Sequence, residues 1–109
     1  MKVSRFAVLQ IDNDDILRNT DIMFRPTKEL VESLSMEYSI VAIIDGTSLD
    51  NVFMIGNVGE YESLIERLQD MRSISVGDVI HNLETDEMFC VDRIGFFPVE
   101  LKEDITENV

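Results

Sequence analysis

Glu62, Glu66 and Asp70 recur at steps of four residues and give the sequence its most distinctive chemistry. If residues 60–71 form a helix, four residues rise about 6 Å and the three carboxylates stack along one stripe. Only Arg67 lies between them, and like charges at that spacing cost a helix a few tenths of a kcal/mol per pair, so the stripe is not there for helix stability. Such a row imitates a phosphate backbone, which carries one charge per ~1.7 Å of duplex axis. Glu60, Asp78, Glu84, Asp86 and Glu87 can thicken that field if the fold brings them to the same side. The plainer alternative is a solvated outer face that keeps the protein in solution.

Residue types that make or break bonds are sparse. His81 is the only histidine and Cys90 the only cysteine. His81 follows Val79-Ile80 at a strand end, where catalysis would need a carboxylate or nucleophile brought beside it by the fold. Cys90 sits between Phe89 and Val91 with no basic cluster nearby to lower its pKa, which suits a buried structural thiol. A single cysteine forms no internal disulfide, and a single histidine builds no histidine-rich metal site. Asp12-Asn13-Asp14-Asp15 superficially suggests a calcium loop. An EF-hand wants a ligand at position 5, Gly at 6 and Glu at 12; counting from Asp12 these are Ile16, Leu17 and Met23, so a turn with solvated carboxylates fits better. There is neither a glycine-rich phosphate loop nor a G-x-S-x-G motif. No catalytic residue, metal or cofactor is expected, and the chain reads as non-enzymatic.

The 109 residues are one domain's worth. They include 22 acidic and 9 basic residues, a formal net charge of -13, with 45% hydrophobic residues and no Trp. That is too apolar for a disordered acidic tail and too acidic to bind nucleic acid by neutralising phosphates. No run is long enough to span a bilayer, and no secretory signal is visible at the start. A soluble intracellular domain is the expectation. The acidity is uneven: residues 1–44 carry 7 acids and 5 bases, residues 45–109 carry 15 acids and 4 bases.

The elements that must position these groups read as α+β. Residues 3–11 form a strand with Phe6 and Val8 on one face and Ala7, Leu9 and Ile11 on the other, both apolar, as in an inner strand covered on both sides. Asn13-Asp14-Asp15 ends it in a turn, and residues 16–25 read as a loop or short strand. Thr27 caps a short helix with Glu29 near its positive end and Leu30, Val31 and Leu34 facing the core. Residues 38–44 are a buried strand stopped by Asp45-Gly46. Thr47 or Ser48 caps a helix in which Leu49, Val52 and Phe53 share a face, and Gly56, Asn57 and Gly59 break it. Tyr61, Leu64, Ile65, Leu68 and Met71 have the spacing of an amphipathic helix over 60–71. Residues 74–80 and 88–94 read as a hairpin around a polar turn at 83–87. Asp78 and Asp92 bond to backbone at its ends, and Gly95 marks a bulge or a close approach. Residues 96–101 form an edge strand, because Pro98 donates no ladder bond, and the acidic tail 102–109 frays. The fold expected is a small, mostly antiparallel sheet of four to five strands with two or three helices packed on it, in one domain.

Ser73-Ile74-Ser75-Val76-Gly77-Asp78-Val79-Ile80, followed by Phe89-Cys90-Val91-Asp92 and Gly95-Phe96-Phe97-Pro98-Val99, resembles the YodL-like family of small phage, plasmid and mobile-element proteins. Its signature is an SVSDVI segment, an aromatic-Val-Asp strand and a GF..V ending. Leu49-x-x-Val52-Phe53 with Asn57 matches a feature that often precedes these, so the resemblance covers residues 49–99. Phe6-Ala7-Val8-Leu9-Gln10-Ile11 with Arg18-Asn19 is compatible with it. Two positions depart: Gly77 stands where the family usually has Ser or another small residue, and Cys90 replaces an aromatic. The family supplies no catalytic residues to carry over. The resemblance implies a phage or mobile-element protein in a bacterial cytoplasm.

Together these readings lead to an acidic interaction protein. It would bind a host protein with a basic groove, a nuclease or a restriction or defence factor, and inhibit it by DNA mimicry. It would not contact nucleic acid or membrane directly. Glu62, Glu66 and Asp70, joined by Glu60, Asp78, Glu84, Asp86 and Glu87, are the expected contact residues. The second reading is an accessory domain that docks through an apolar surface or on itself, as a homodimer; an exposed apolar patch of several hundred Å² would favour it.

Overall fold

The hydrophobic run that opens the chain becomes the centre of an antiparallel sheet. In the computed structural model, which describes residues 2–102, β1 (Ser4–Ile11) pairs on one side with β2 (Tyr38–Gly46) and on the other with β4 (Val79–Asn82). β3 (Ile65–Arg67) adds to β2, while β5 (Met88–Val91) and β6 (Phe96–Val99) extend the far side, giving the order β3-β2-β1-β4-β5-β6. The expected α+β architecture is present, with six strands rather than four to five. Residues 103–109, most of the tail expected to fray, lie outside the described residues.

Helices cover both faces, as the two apolar faces of β1 require. Phe6 and Val8 join a cluster with Ile44, Val52, Ile55, Ile74 and Ile80 under α3 (Leu49–Asn57). Ala7, Leu9 and Ile11 join a second cluster with Ile22, Val31, Val79 and Cys90 under α1 (Asp14–Asn19) and α2 (Lys28–Ser33). Each helix is capped by a side chain that satisfies free backbone N–H groups. Thr27 caps α2 and Ser48 caps α3. Leu30, Val31 and Leu34 face the core, and so do Leu49, Val52 and Phe53. α1 replaces the turn expected at Asn13-Asp14-Asp15 and the first part of the loop or short strand expected at 16–25, whose remainder, 20–25, is irregular as expected. Asn13 Oδ1 accepts from Asp15 N at 2.9 Å and Ile16 N at 3.2 Å. Asp14 and Asp15 occupy the positive end of the helix and Arg18 the negative end.

The largest departure is at 60–71, where no α-helix forms. Gly59–Leu64 is a 3-10 helix without a side-chain cap, and Ile65 turns into β3. Two forces favour this outcome. A helix would align Glu62, Glu66 and Asp70 in mutual repulsion. The outer edge of the nine-residue β2 would also lack hydrogen-bond partners without β3. β2 carries a bulge at Val41, since Val8 pairs with Ala42 but Leu9 with Ile40. The Val41 carbonyl accepts from Leu68 N at 2.9 Å and Gln69 N at 3.3 Å, continuing the attachment past β3. Tyr61, Ile65 and Met71 reach the core, whereas Leu64 and Leu68 stand exposed.

Residues 74–78 are likewise not a strand. Asp78 N donates to the Ser75 carbonyl and its carboxylate accepts from Ser75 N at 2.9 Å, closing a turn where alternation suggested β structure. The hairpin does form, with Val79, Ile80 and His81 opposite Cys90, Phe89 and Met88. Gly95, at φ 76, serves the β5–β6 turn; open space surrounds it, so it is neither a bulge nor a close approach. Both sheet edges are blunted: β3 has three residues including Glu66 and Arg67, and β6 contains Pro98. Among the described residues no helix is long and apolar enough to cross a membrane.

Candidate functional site

Antiparallel pairing places the starts of β1, β3 and β5 and the ends of β2, β4 and β6 at one end of the sheet. Asp45, Glu66, the β4–β5 turn with Glu84, Asp86 and Glu87, and Glu100 after β6 therefore converge there. Register also places Glu66 in a row that crosses one face: Glu66, Ile43, Ala7, His81, Met88, Val99. The turn is held by its own polar groups. Asn82 Oδ1 accepts from Glu84 N at 2.9 Å and Thr85 N at 3.2 Å, Thr85 Oγ1 donates to Glu87 at 3.1 Å, and Asp86 takes a left-handed conformation at φ 66. Its carboxylates are thus presented on an ordered support.

Cations soften this end without neutralising it. Arg5 donates to Asp45 through Nε at 3.0 Å and Nη2 at 3.3 Å, which holds the Asp45 carboxyl below its ordinary range. Lys2 lies 3.4 Å from Glu84. Apart from these cations, the His81 ring contributes a hydrogen bond, with Nε2 2.7 Å from Asp86 Oδ1. Glu66 and Glu87 have no ion pair among the described residues.

The structure divides the eight expected contact residues. Glu84, Asp86 and Glu87 share the β4–β5 turn, and Glu66 lies at the same end of the sheet but on the edge strand β3. Glu60 is exposed on the 3-10 helix. Glu62 is exposed too, but its carboxylate is committed to Arg67, whose side chain donates to it through two nitrogens and holds the Glu62 carboxyl low. Asp70 follows β3 at the opposite end, so the stripe of three does not exist. Asp78 is buried and offers no surface charge. Asp45 and Glu100 belong to the site although sequence reasoning missed them. Asp45 read only as a strand stop, and nothing local to either residue signals the pairing that places it.

Asp78 instead closes a buried clasp. Gln10 Nε2 donates to Asp78 Oδ2 at 3.0 Å and to the Arg72 carbonyl at 3.1 Å, while Gln10 Oε1 accepts from Arg72 N. Burial pushes the Asp78 carboxyl up to about 6, against the lowering effects of Ser75 N, Arg72 and Gln10. A raised carboxyl pKa favours folding of the protonated form. Its contribution is complete below the unfolded value near 4 and is lost as pH rises through about 6. Relative to Asp78→Asn, wild-type stability is expected to fall by about 3 kcal/mol between about pH 4 and about pH 7. Urea unfolding of both proteins across that range checks this, and a constant difference contradicts it.

The remaining reactive groups are committed elsewhere. Burial pushes the Cys90 thiol up to about 12, so it stays protonated, and burial raises the Tyr38 hydroxyl, which donates to the Gly77 carbonyl at 2.6 Å. Asp92 accepts from the neighbouring Arg93 N at 2.7 Å, a backbone bond as expected. No cluster of three or more potential metal ligands occurs among the described residues.

A groove of about 530 Å³ borders the acidic end, on the face that carries α1 and α2. Leu9, Met36, Ile40, Leu83 and Met88 form its walls with His81, and Lys102 stands at its rim. Met36, Ile40 and Leu83 are exposed. The alternation of β1 hints at an apolar face here; that the helices leave part of it bare has no local signal.

Comparison of the sequence with protein-family models finds no match, and none is found among curated proteins or solved structures.

Proposed function

We propose that this chain is a non-enzymatic protein that binds a host protein through its acidic end and occupies a groove that otherwise takes nucleic acid. The convergence of Asp45, Glu66, Glu84, Asp86, Glu87 and Glu100 on one end of a rigid sheet carries this reading. Fixed carboxylates on an ordered turn lose little entropy on docking and steer a basic partner from a distance. Both blunted edges disfavour strand addition, which leaves the ends and faces for contact. The YodL-like resemblance of residues 49–99 supports a phage or mobile-element setting in a bacterial cytoplasm, where a nuclease or restriction factor is the fitting partner. A second reading, docking through the apolar groove, is favoured by the exposed Met36, Ile40 and Leu83.

Affinity capture from a bacterial lysate separates the two readings. At about 50 mM salt the wild type should retain nucleic-acid-binding proteins, release them at about 0.5 M salt, and give them up to excess duplex DNA. The Glu84→Lys, Asp86→Lys, Glu87→Lys variant should retain at least about tenfold less, as expected when several interfacial charges reverse. Retention unaffected by the reversal and by salt, but lost in Leu83→Glu, would transfer the function to the groove.

A further inference from the structure

A second concavity opens at the acidic end, between α2 and the β4–β5 turn, with a volume of about 1080 Å³. Local connections create it. β5 and β6 pair as far as Met88 and Val99. The chain is then tied to the α2 side, where Glu100 N donates to Glu32 Oε2 at 2.8 Å and Lys102 N to Ser35 Oγ at 3.0 Å. The floor is apolar, built from Met88, Phe89, Pro98 and Leu101. Six charged residues surround that floor, four acidic and two basic. Lys28 is committed to Glu32 at 2.6 Å. Lys102 has no carboxylate within ion-pair distance among the described residues, but Asp86, Glu87 and Glu100 outnumber it. None of those three has a Lys or Arg partner among the described residues; Asp86 lies 2.7 Å from His81 Nε2, and Glu87 accepts from Thr85 Oγ1 at 3.1 Å. Register continued one step past Met88 and Val99 sets Glu87 opposite Glu100, and like charges on facing strands repel. A cation between them removes that repulsion.

From this complementarity we infer that the concavity receives an arginine of the partner protein, flanked by apolar residues, with its guanidinium between Glu87 and Glu100 and its neighbours on the apolar floor. The inference rests on the proposed function in taking the acidic end as the place where a protein binds; it adds what that protein presents. The volume slightly exceeds the roughly 300–1,000 Å³ of small-molecule sites, which suits a segment of several side chains. Arginine fits better than lysine. Its planar fork offers five N–H donors, enough for two carboxylates at once, and it sheds water more readily. Its flat face also stacks on an aromatic ring, which Phe89 supplies. A metal ion fits less well, because no cluster of three or more potential ligands occurs among the described residues. The charges speed arrival of a basic segment, and burial of its apolar neighbours slows departure.

Titration of the isotope-labelled full chain with acetyl-Leu-Arg-Leu-amide at about 50 mM salt, followed by NMR, tests the inference. Amide resonances of Glu87, Met88, Phe89, Glu100 and Leu101 should shift to a plateau, half-complete near about 1 mM peptide, as for a weak contact. Acetyl-Leu-Gln-Leu-amide lacks the charge and acetyl-Gly-Arg-Gly-amide lacks the apolar flanks, so each should bind at least about fivefold more weakly. Glu87→Gln with Glu100→Gln changes two exposed positions and should weaken binding of the arginine peptide by at least about tenfold. Glu66→Gln, at the same end but on β3, should bind it like wild type. Shifts spread evenly over the acidic surface overturn the inference. So does equal binding of the glutamine peptide, or undiminished binding by the Glu87→Gln, Glu100→Gln variant. The two proposals fail separately. Wild type that captures DNA-displaceable proteins from the lysate but shows no shift at these residues loses the arginine site alone. Wild type that binds the peptide as expected but captures none keeps the arginine site and loses the nucleic-acid-binding partner.

Discussion

Replacing Gly77 with Ser is expected to destabilise the fold by about 3–4 kcal/mol, combining left-handed strain with overpacking. Gly77 has φ 93, and a Cβ placed on it would lie 2.4 Å from the Ile22 backbone carbonyl oxygen. A backbone atom cannot swing aside as a side chain would. Gly77 N also donates to the Val91 carbonyl and its own carbonyl accepts from Tyr38, so the backbone is held from both sides. The clash is between the turn before β4 and the segment after α1, two parts of the chain whose separation would uncover Ile22. A domain with a total stability of about 5–15 kcal/mol loses a large share of it. Urea unfolding should show a much lower midpoint for Gly77→Ser. Gly59→Ser, where nothing lies within 4 Å of the added Cβ, should stay within about 1 kcal/mol of wild type. Equal midpoints for the two variants would contradict the account of this turn.

Ile80→Ala should cost about 3 kcal/mol, the middle of the range for emptying a fully buried aliphatic site. Ile80 is inaccessible to solvent and sits on β4 between Val8 of β1 and Phe89 of β5, in the cluster that joins the sheet to α3. Neighbours on both flanking strands are fixed by hydrogen bonding, so the site collapses little around the void. Ile40→Ala offers the contrast: the residue is 42% exposed at the groove, and its loss should cost less than about 1 kcal/mol. Chemical denaturation of the pair measures the difference directly. A small loss at Ile80 would mean that the sheet is not the stabilising centre.

Where burial was two-sided, local pattern and structure agree. The apolar faces of β1 and the continuous run of β2 read directly as inner strands, and Thr27 and Ser48 announced their helices through capping chemistry. Asn13 carried the same capping signal, but Asp14 and Asp15 beside it read equally well as a turn. The failure at 60–71 is more instructive. Tyr61, Leu64, Ile65, Leu68 and Met71 have helical spacing, yet β2 needed a hydrogen-bonding partner for its outer edge, a tertiary demand that spacing does not encode. Asp78 shows the same limit, since alternation over 74–80 cannot reveal that its carboxylate turns inward to Ser75 and Gln10. The acidic end was half legible. Glu84, Asp86 and Glu87 lie in one turn and declare themselves, whereas Glu66, Asp45 and Glu100 join them only through strand register.

The most direct test of a shaped electronegative end compares two variants of identical charge change. One reverses Glu84, Asp86 and Glu87 to Lys at the acidic end; the other reverses Asp12, Asp14 and Asp70 to Lys at the opposite end. Retention of nucleic-acid-binding proteins from a bacterial lysate is then quantified by mass spectrometry, with and without competing duplex DNA. Placement, rather than net charge, should decide the outcome: the first variant loses the DNA-displaceable proteins and the second keeps them. Equal losses in both would reduce the acidity to a general charge effect and contradict the account.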